Sequence, residues 1–109
     1  MSAAHDGEPG LTVARRVVAE MIALAALEVQ GVGRIGRGGP AWRAWLTGPP
    51  VRVRVRDGRV EARIFLVARP GRSLGDLAVG VRAAVAAAVE RLLGLEVGQI
   101  TVVVDGVGA

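Results

Sequence analysis

Two long segments of the chain place apolar residues at helical spacing. Residues 12–28 and residues 74–93 repeat them every three or four positions, which predicts two amphipathic helices. Ser73, followed by Asp76, is expected to cap the second helix, and Gly94 is expected to end it. The predicted core face of the first helix comprises Val13, Ala14, Val17, Val18, Met21, Leu24 and Ala25, and that of the second comprises Leu74, Leu77, Val81, Ala84, Val85, Ala88 and Leu92.

The middle of the chain alternates apolar and charged residues in the manner of a β-hairpin. Residues 51–56 read Val-Arg-Val-Arg-Val-Arg, which is a strict alternation. Asp57-Gly58 is a favoured two-residue hairpin turn, so residues 59–69 are expected to return antiparallel. Residues 98–105 predict a last strand with alternate apolar residues facing inward. The predicted hairpin register places Arg56 opposite Arg59, Arg54 opposite Glu61 and Arg52 opposite Arg63.

The order of these elements is α-β-β-α-β, which predicts the fold class. We expect an α/β protein of the α+β two-layer type, with a three-stranded sheet and two helices packed on one face. Residues 11–107 would form this single domain. Residues 1–10 are small and polar and predict a disordered tail. Residues 33–50 are rich in Gly and Pro, contain both Trp residues, and predict an irregular loop.

The composition supplies few groups that could react. The chain has no Cys, so disulfides and thiol chemistry are excluded. Its one His, His5, cannot build a histidine metal cluster. Ser73 has a capping role and no adjacent base of the kind that a nucleophile needs. The sequence therefore predicts no enzyme, no catalytic residue, no metal site and no cofactor.

The apolar segments of the chain are interrupted by charged residues. Glu20 and Glu28 interrupt residues 17–32, and Arg82, Glu90 and Arg91 interrupt residues 77–95. A membrane span needs about 20 apolar residues with few or no charges, so neither a span nor a signal peptide is expected. We expect a cytoplasmic protein that reaches the membrane only through a partner.

Arginine, which carries the whole net charge of +4, is concentrated on the outward face of the predicted sheet. Like charges opposite each other destabilise a sheet, so the pair Arg52 and Arg63 indicates an anionic partner. The face is either a solvated strand surface, a protein or oligomer interface, or a surface for nucleic acid or anionic lipid. The candidate interaction surface consists of Arg52, Arg54, Arg56, Arg63, Phe65, Val67 and Val103.

Two further segments are candidates for contact with a partner. Gly33-Arg34-Ile35-Gly36 matches the G-x-x-G loop that KH domains place on a nucleic-acid backbone, although the segment fits a loop that ends a helix better. The candidate loop contacts are Arg34, Arg37, Trp42, Arg43 and Trp45. The small residues Val79, Gly80, Ala83 and Ala87 form a candidate helix interface, or are exposed because Ala favours helices.

The motifs and their order together resemble the alkaline shock protein family, also called the Gls-type envelope stress response family. Residues 25–32 are similar to the family's A-x-x-E-V-x-G-V, and residues 94–104 are similar to its last strand. The resemblance implies a small non-enzymatic bacterial protein of the cytoplasm that works beside a membrane-anchored partner. Its structural motif residues here are Glu28, Gly31, Asp57, Gly58 and Gly94. Glu28, at the end of a helix, is expected to have an Arg or backbone N–H partner.

Three functions remain open from the sequence. The leading hypothesis is a scaffold or adaptor of the envelope stress response type, which self-associates as a homo-oligomer and binds a membrane-anchored protein. The first alternative is a nucleic-acid-binding module that uses the Arg-rich face and the Gly-Arg-Ile-Gly loop. The second is a module similar to BON domains, which have the order α-β-β-α-β, that binds anionic lipid.

Overall fold

The computed structural model describes residues 9–40 and 48–108. The prediction of two helices and a sheet in an α+β fold is confirmed, but the sheet has a fourth strand that the sequence did not predict. The helices are α1 (Pro9–Leu27) and α2 (Leu74–Leu93), and the strands are β1 (Val32–Ile35), β2 (Val51–Arg56), β3 (Arg59–Ala68) and β4 (Glu96–Val107).

Strand β3 is the centre of the sheet. β2 pairs antiparallel with its first half and β1 antiparallel with its second half, while β4 runs parallel along its whole length. Because β4 occupies one edge of β3, β1 and β2 share the other edge, end to end. The sheet is therefore only three strands wide, as predicted, but mixed and built from four strands.

The extra strand β1 corrects the prediction of an irregular loop from residue 33. Its four residues, Val-Gly-Arg-Ile, are too few to show a period and include a glycine. The segment is a strand because it pairs with β3, where Val32 lies opposite Ala68. That partner is distant in sequence, so no local pattern indicates it.

The hairpin of β2 and β3 has the predicted register throughout, with Arg52 opposite Arg63 and Arg54 opposite Glu61. Asp57 and Gly58 have φ angles of 54° and 74°, which is the left-handed geometry of a two-residue hairpin turn. This turn matches the twist of the flanking strands, and it fixes which side chains face outward.

Helix α2 begins and ends where its caps predict. The Ser73 hydroxyl accepts a hydrogen bond from the backbone N–H of Asp76. Gly94 ends the helix in the left-handed conformation, and its N–H donates to the carbonyl of Glu90. The predicted core stripe is confirmed at its centre by the buried residues Leu77, Val81, Val85 and Ala88, whereas Leu74 and Leu92 at its ends are exposed.

Helix α1 differs from the prediction in its start and in its buried face. It begins at Pro9, inside the segment expected to be a disordered tail; proline suits the first turn of a helix. Residues 1–8 of that tail lie outside the described residues. The buried residues are Val18, Ile22 and Ala26, whereas Val17 and Leu24 are exposed. Apolar residues lie on more than one face of this helix, so their spacing alone did not show which face is buried.

The core lies between the helices and one face of the sheet. Both helices and alternate residues of β3 contribute to it, so the two helices cover the same sheet face. Burial of these apolar side chains is the main driving force for folding. The largest fully buried side chains are those of Ile22, Val60, Ile64, Leu66, Val81, Val85 and Val89.

Candidate interaction surfaces

The outward face of the sheet has two halves that differ in exposure. Along β3 the outward residues change from charged, at Glu61 and Arg63, to apolar, at Phe65 and Val67. The charged half forms an open cleft. The apolar half is buried at Phe65 and Val67.

The chain leaves β1 and returns to β2 at the same residue of β3. The N–H of Gly36 donates to the carbonyl of Phe65 at 2.8 Å, and the N–H of Phe65 donates to the carbonyl of Pro50 at 2.9 Å. After the first of these bonds, residues 37 and 38 lie over the outward face of the sheet. The guanidinium of Arg37 lies 3.5 Å from the centroid of the Phe65 ring, and the N–H of Gly38 donates to a carboxylate oxygen of Asp105 at 2.9 Å.

Three apolar residues of the candidate interaction surface are covered within the chain, with Arg37 lying over the Phe65 ring. Phe65 is 6% exposed and Val67 is 7% exposed, and Val103 is half-buried. The sequence placed these side chains on the correct face. It gave no sign of the cover, because the cover depends on contacts between residues 37–38 and strands far along the chain.

Of the five predicted loop contacts, the structure describes Arg34 and Arg37. Arg34 is exposed in β1, and its guanidinium donates to the carbonyl of Arg37 at 3.0 Å. Arg37 is half-buried, and its Nε atom is buried without a hydrogen-bond partner among the described residues. Both side chains are therefore engaged within the chain. Trp42, Arg43 and Trp45 lie outside the described residues.

The KH-type interpretation of residues 33–36 is wrong, because residues 33–35 form part of a strand rather than a loop between helices.

The exposed half of the sheet face contains a basic cleft of about 460 Å³. In its central row Arg63 lies between Arg52 on β2 and Thr101 on β4. In the next row Arg54 lies opposite Glu61. The cleft is lined by Arg52, Val53, Arg54, Glu61, Ala62, Arg63, Gln99 and Thr101.

The arginines of this face differ in their partners. Arg59 forms an ion pair with Glu96 at 3.3 Å, in which both side chains are exposed. Arg54 and Arg63 are exposed and form no ion pair or hydrogen bond within residues 9–40 and 48–108. Arg56 is exposed beside the turn. Free guanidinium groups can bind carboxylate or phosphate through two parallel hydrogen bonds.

Strand β4 presents a second surface that the sequence reasoning missed. It has 12 residues and pairs with β3 along one edge; no described residue pairs with its other edge. On that open edge the Nε–H of Arg82, from α2, donates to the carbonyl of Ile100 at 3.1 Å. The uncharged run Val102-Val103-Val104 is the sequence feature that could have indicated an unprotected edge strand.

The predicted helix interface on α2 is exposed at three of its four residues. Val79 is 61% exposed, and Ala83 and Ala87 are also exposed. Gly80 is half-buried instead, because the Val29 side chain packs against it. A Cβ atom on Gly80 would lie 3.5 Å from that side chain. Gly80 therefore contributes to packing within the chain. The other three residues remain a predicted interface.

The residues that carried the family resemblance are structural, with one exception. Gly31 has a φ angle of 100° and is buried beneath Arg72 and Leu77, so a side chain there would be strained. Glu28 was expected to have a partner. Its side chain is exposed and forms no hydrogen bond or ion pair with the part of the chain that the structure describes, so that expectation is wrong.

Three of the polar groups that could take part in chemistry have structural partners in this fold. Ser73 caps α2, Asp105 binds the N–H of Gly38, and Glu96 pairs with Arg59. Within residues 9–40 and 48–108, no three His, Cys, Asp or Glu side chains come together as metal ligands would. Neither described helix combines the length and the apolar character that a membrane span requires.

The fold and surfaces define a small two-layer α+β domain with a basic cleft and an open sheet edge. The sequence matches the model of the alkaline shock protein 23 family, described as having a cell envelope-related function, over residues 4–109. The chain belongs to this family, which confirms the resemblance inferred from the sequence.

Solved structures with a similar fold include several of the MamM CTD. A zinc form of one variant superposes with a TM-score of 0.65 at 17% identity, covering 89% of this chain and 90% of that one. A second variant gives a TM-score of 0.63 at 18% identity, covering 86% and 96%. At this identity the likeness shows the fold alone. None of the curated proteins matches the sequence.

Proposed function

We propose that the protein is a non-enzymatic scaffold of the cell envelope, which acts by self-association and by docking to a membrane-anchored protein partner on the cytoplasmic side. The family's envelope-related function supports the location. The open edge of β4 is the observation that carries self-association. The structural roles of Ser73, Glu96 and Asp105 favour binding over catalysis.

The open edge of β4 is built for pairing with another strand. The carbonyl of Ile100 points away from β3, since Arg82 binds it. Backbone groups alternate between the two edges of a strand, so the N–H and C=O groups of Val102 and Val104 point the same way. Natural edge strands are usually protected by Lys, Pro or inward-pointing charges, and β4 contains neither Lys nor Pro.

A second copy of the chain fits this edge better than an arbitrary strand. Two identical strands related by a twofold axis pair antiparallel. Pairing centred on Val102 places Asp105 opposite Gln99 of the second copy, so the two carboxylates of Asp105 do not meet. The result is one continuous sheet across the dimer, with a basic cleft on each half.

Light scattering after size-exclusion chromatography tests self-association. We expect a mass of twice the 11.2 kDa of one chain. Val102→Pro removes an N–H of the open edge and leaves the bonds to β3, so it should give the single mass. Leu24→Ser is the matched control, because it removes an exposed apolar group from α1 and should leave the dimer intact.

Each alternative result of that experiment contradicts part of the proposal. A wild-type chain that stays monomeric at all concentrations excludes self-association. A dimer that Leu24→Ser dissociates while Val102→Pro does not is held together by the helices instead. Circular dichroism confirms that each variant is folded before its mass is compared.

The membrane-anchored partner requires a separate test. Purified chain should bind native membranes, and prior proteolysis of the exposed membrane proteins should abolish this binding. Vesicles of pure anionic lipid should bind much less, because the apolar side chains that line the basic cleft, Val53 and Ala62, are half-buried or buried and do not project into lipid. Equal binding to lipid vesicles and to native membranes would instead favour the lipid-binding alternative.

A further inference from the structure

We propose that the basic cleft is a docking site for an acidic peptide segment of the partner protein. This inference rests on the proposed scaffold function, because it gives the chemistry by which that partner is recognised. The site is formed by the outward side chains of three neighbouring strands. It opens on the sheet face, whereas the dimer would pair backbone groups at the edge of β4, so pairing leaves Arg54 and Arg63, on β2 and β3, accessible.

The positive charge of the cleft is concentrated on strands β2 and β3, whereas β4 contributes neutral side chains. Arg52 and Arg63 are directly opposite each other, a relation in which the Cβ atoms of antiparallel strands lie about 5 Å apart. Arg54 follows on the same strand as Arg52. One carboxylate beside Arg54 and Arg63 would accept paired hydrogen bonds from a guanidinium.

The two arginines on which the site depends are Arg54 and Arg63. Both are exposed, and neither forms an ion pair or a hydrogen bond in the described part of the chain, although Glu61 lies opposite Arg54. Elsewhere the fold uses its arginines: Arg59 pairs with Glu96, and Arg82 binds a carbonyl of β4. The cleft therefore retains positive charge that the fold itself does not use.

The rest of the cleft lining favours a peptide over a nucleic acid. Glu61 is half-buried in the same cleft, and a phosphodiester chain, with a charge at every nucleotide, would meet its carboxylate. A peptide can place a neutral residue there. Gln99 and Thr101 add neutral hydrogen-bonding groups that suit peptide amides.

Exposed aromatic residues for stacking, which single-strand binders use, are also missing from the described part of this face. Phe65 is the aromatic residue closest along β3, and Arg37 covers its ring. The cavity volume, about 460 Å³, accommodates a few side chains rather than a long strand. Acidic residues interrupted by neutral ones are the sequence that this surface fits.

Fluorescence anisotropy on the full chain tests the site. The probe is a labelled peptide that alternates Glu and Ser, at about 50 mM salt. We expect saturable binding that salt weakens and that replacing Glu with Gln in the peptide abolishes. The double variant Arg54→Gln/Arg63→Gln should weaken binding about 100-fold, at roughly tenfold for each lost charged hydrogen bond.

The matched control is Arg15→Gln/Arg16→Gln, which removes the same charge from exposed positions on α1 and should leave binding unchanged. Equal weakening by both pairs, or no saturable binding of the Glu peptide, would overturn the proposal. Tighter binding of oligo(dT) than of the peptide would assign the cleft to nucleic acid.

Light scattering on the same samples separates this inference from the proposed function. A dimer that does not bind the peptide overturns the cleft site alone. A monomer that binds it through Arg54 and Arg63 overturns self-association and supports the site.

Discussion

The guanidinium of Arg37 lies over the ring of Phe65, 3.5 Å from its centroid, and this contact closes one half of the sheet face. A cation over an aromatic ring is attracted by the ring's electron-rich face. The contact buries Phe65 to 6% exposure and leaves the arginines of the other half open to solvent. The boundary between the two halves is therefore set within the chain.

Replacing Arg37 should destabilise the fold. We expect Arg37→Ala to lower the free energy of unfolding by about 1–2 kcal/mol, because both the cation–π attraction and the packing of the arginine stem are lost. Arg37→Met retains apolar cover and should lose less. Urea denaturation measures both, and equal stability of Arg37→Ala and wild type would show that the contact contributes nothing.

Two glycines should respond in opposite directions to the same substitution. A Cβ atom on Gly38 would overlap the backbone carbonyl of Asp105, so Gly38→Ala should destabilise by about 1–3 kcal/mol. Gly75, in the first turn of α2, has open space around it. Gly75→Ala should stabilise by up to about 1 kcal/mol. Thermal unfolding compares them, and a Gly38→Ala variant as stable as wild type would refute the close approach at Gly38.

The hydrogen bond from the N–H of Gly38 to Asp105 should contribute more to the free energy of unfolding than the exposed ion pair between Glu96 and Arg59. Asp105→Ala leaves a part-buried N–H without its acceptor, which costs about 1–3 kcal/mol. Asp105→Asn keeps an oxygen acceptor and should cost less. Glu96→Gln, which breaks the pair with Arg59, should cost at most about 1 kcal/mol. Chemical denaturation ranks the three; a larger loss from Glu96→Gln would reverse this assignment.

The cap of α2 is expected to make a measurable local contribution. Ser73→Ala removes the acceptor for the N–H of Asp76 and should cost about 1 kcal/mol. Ser73→Asp restores an acceptor and should recover most of the loss. Thermal unfolding followed by circular dichroism measures it, and failure of the Asp variant to recover stability would mean that the hydroxyl has another role.

Features with a local cause were predictable from the sequence. Asp57-Gly58 sets the hairpin register by its own backbone geometry, and that register places Arg52 opposite Arg63. Ser73 and Gly94 set the limits of α2 in the same way. The arginine lining of the cleft follows directly from the hairpin, so this part of the candidate site was predicted residue by residue.

Features that depend on distant contacts were not predictable. β1 forms because it pairs with the end of β3. Arg37 lies over Phe65 because the next residue, Gly38, is hydrogen-bonded to Asp105. The buried face of α1 was predicted correctly at Val18 but wrongly at Val17 and Leu24, which are exposed. The buried residues Ile22 and Ala26 were not predicted, because packing against the sheet, rather than spacing, selects them.

Self-association through β4 is tested most directly by residue-resolved amide hydrogen exchange on the wild-type chain at low and high concentration. The N–H groups of Val102 and Val104, on the open edge, should become protected as the concentration rises. The N–H of Val103 points toward β3 and should be protected at both concentrations. Fast exchange of Val102 and Val104 at every concentration, with Val103 protected throughout, would contradict pairing at this edge.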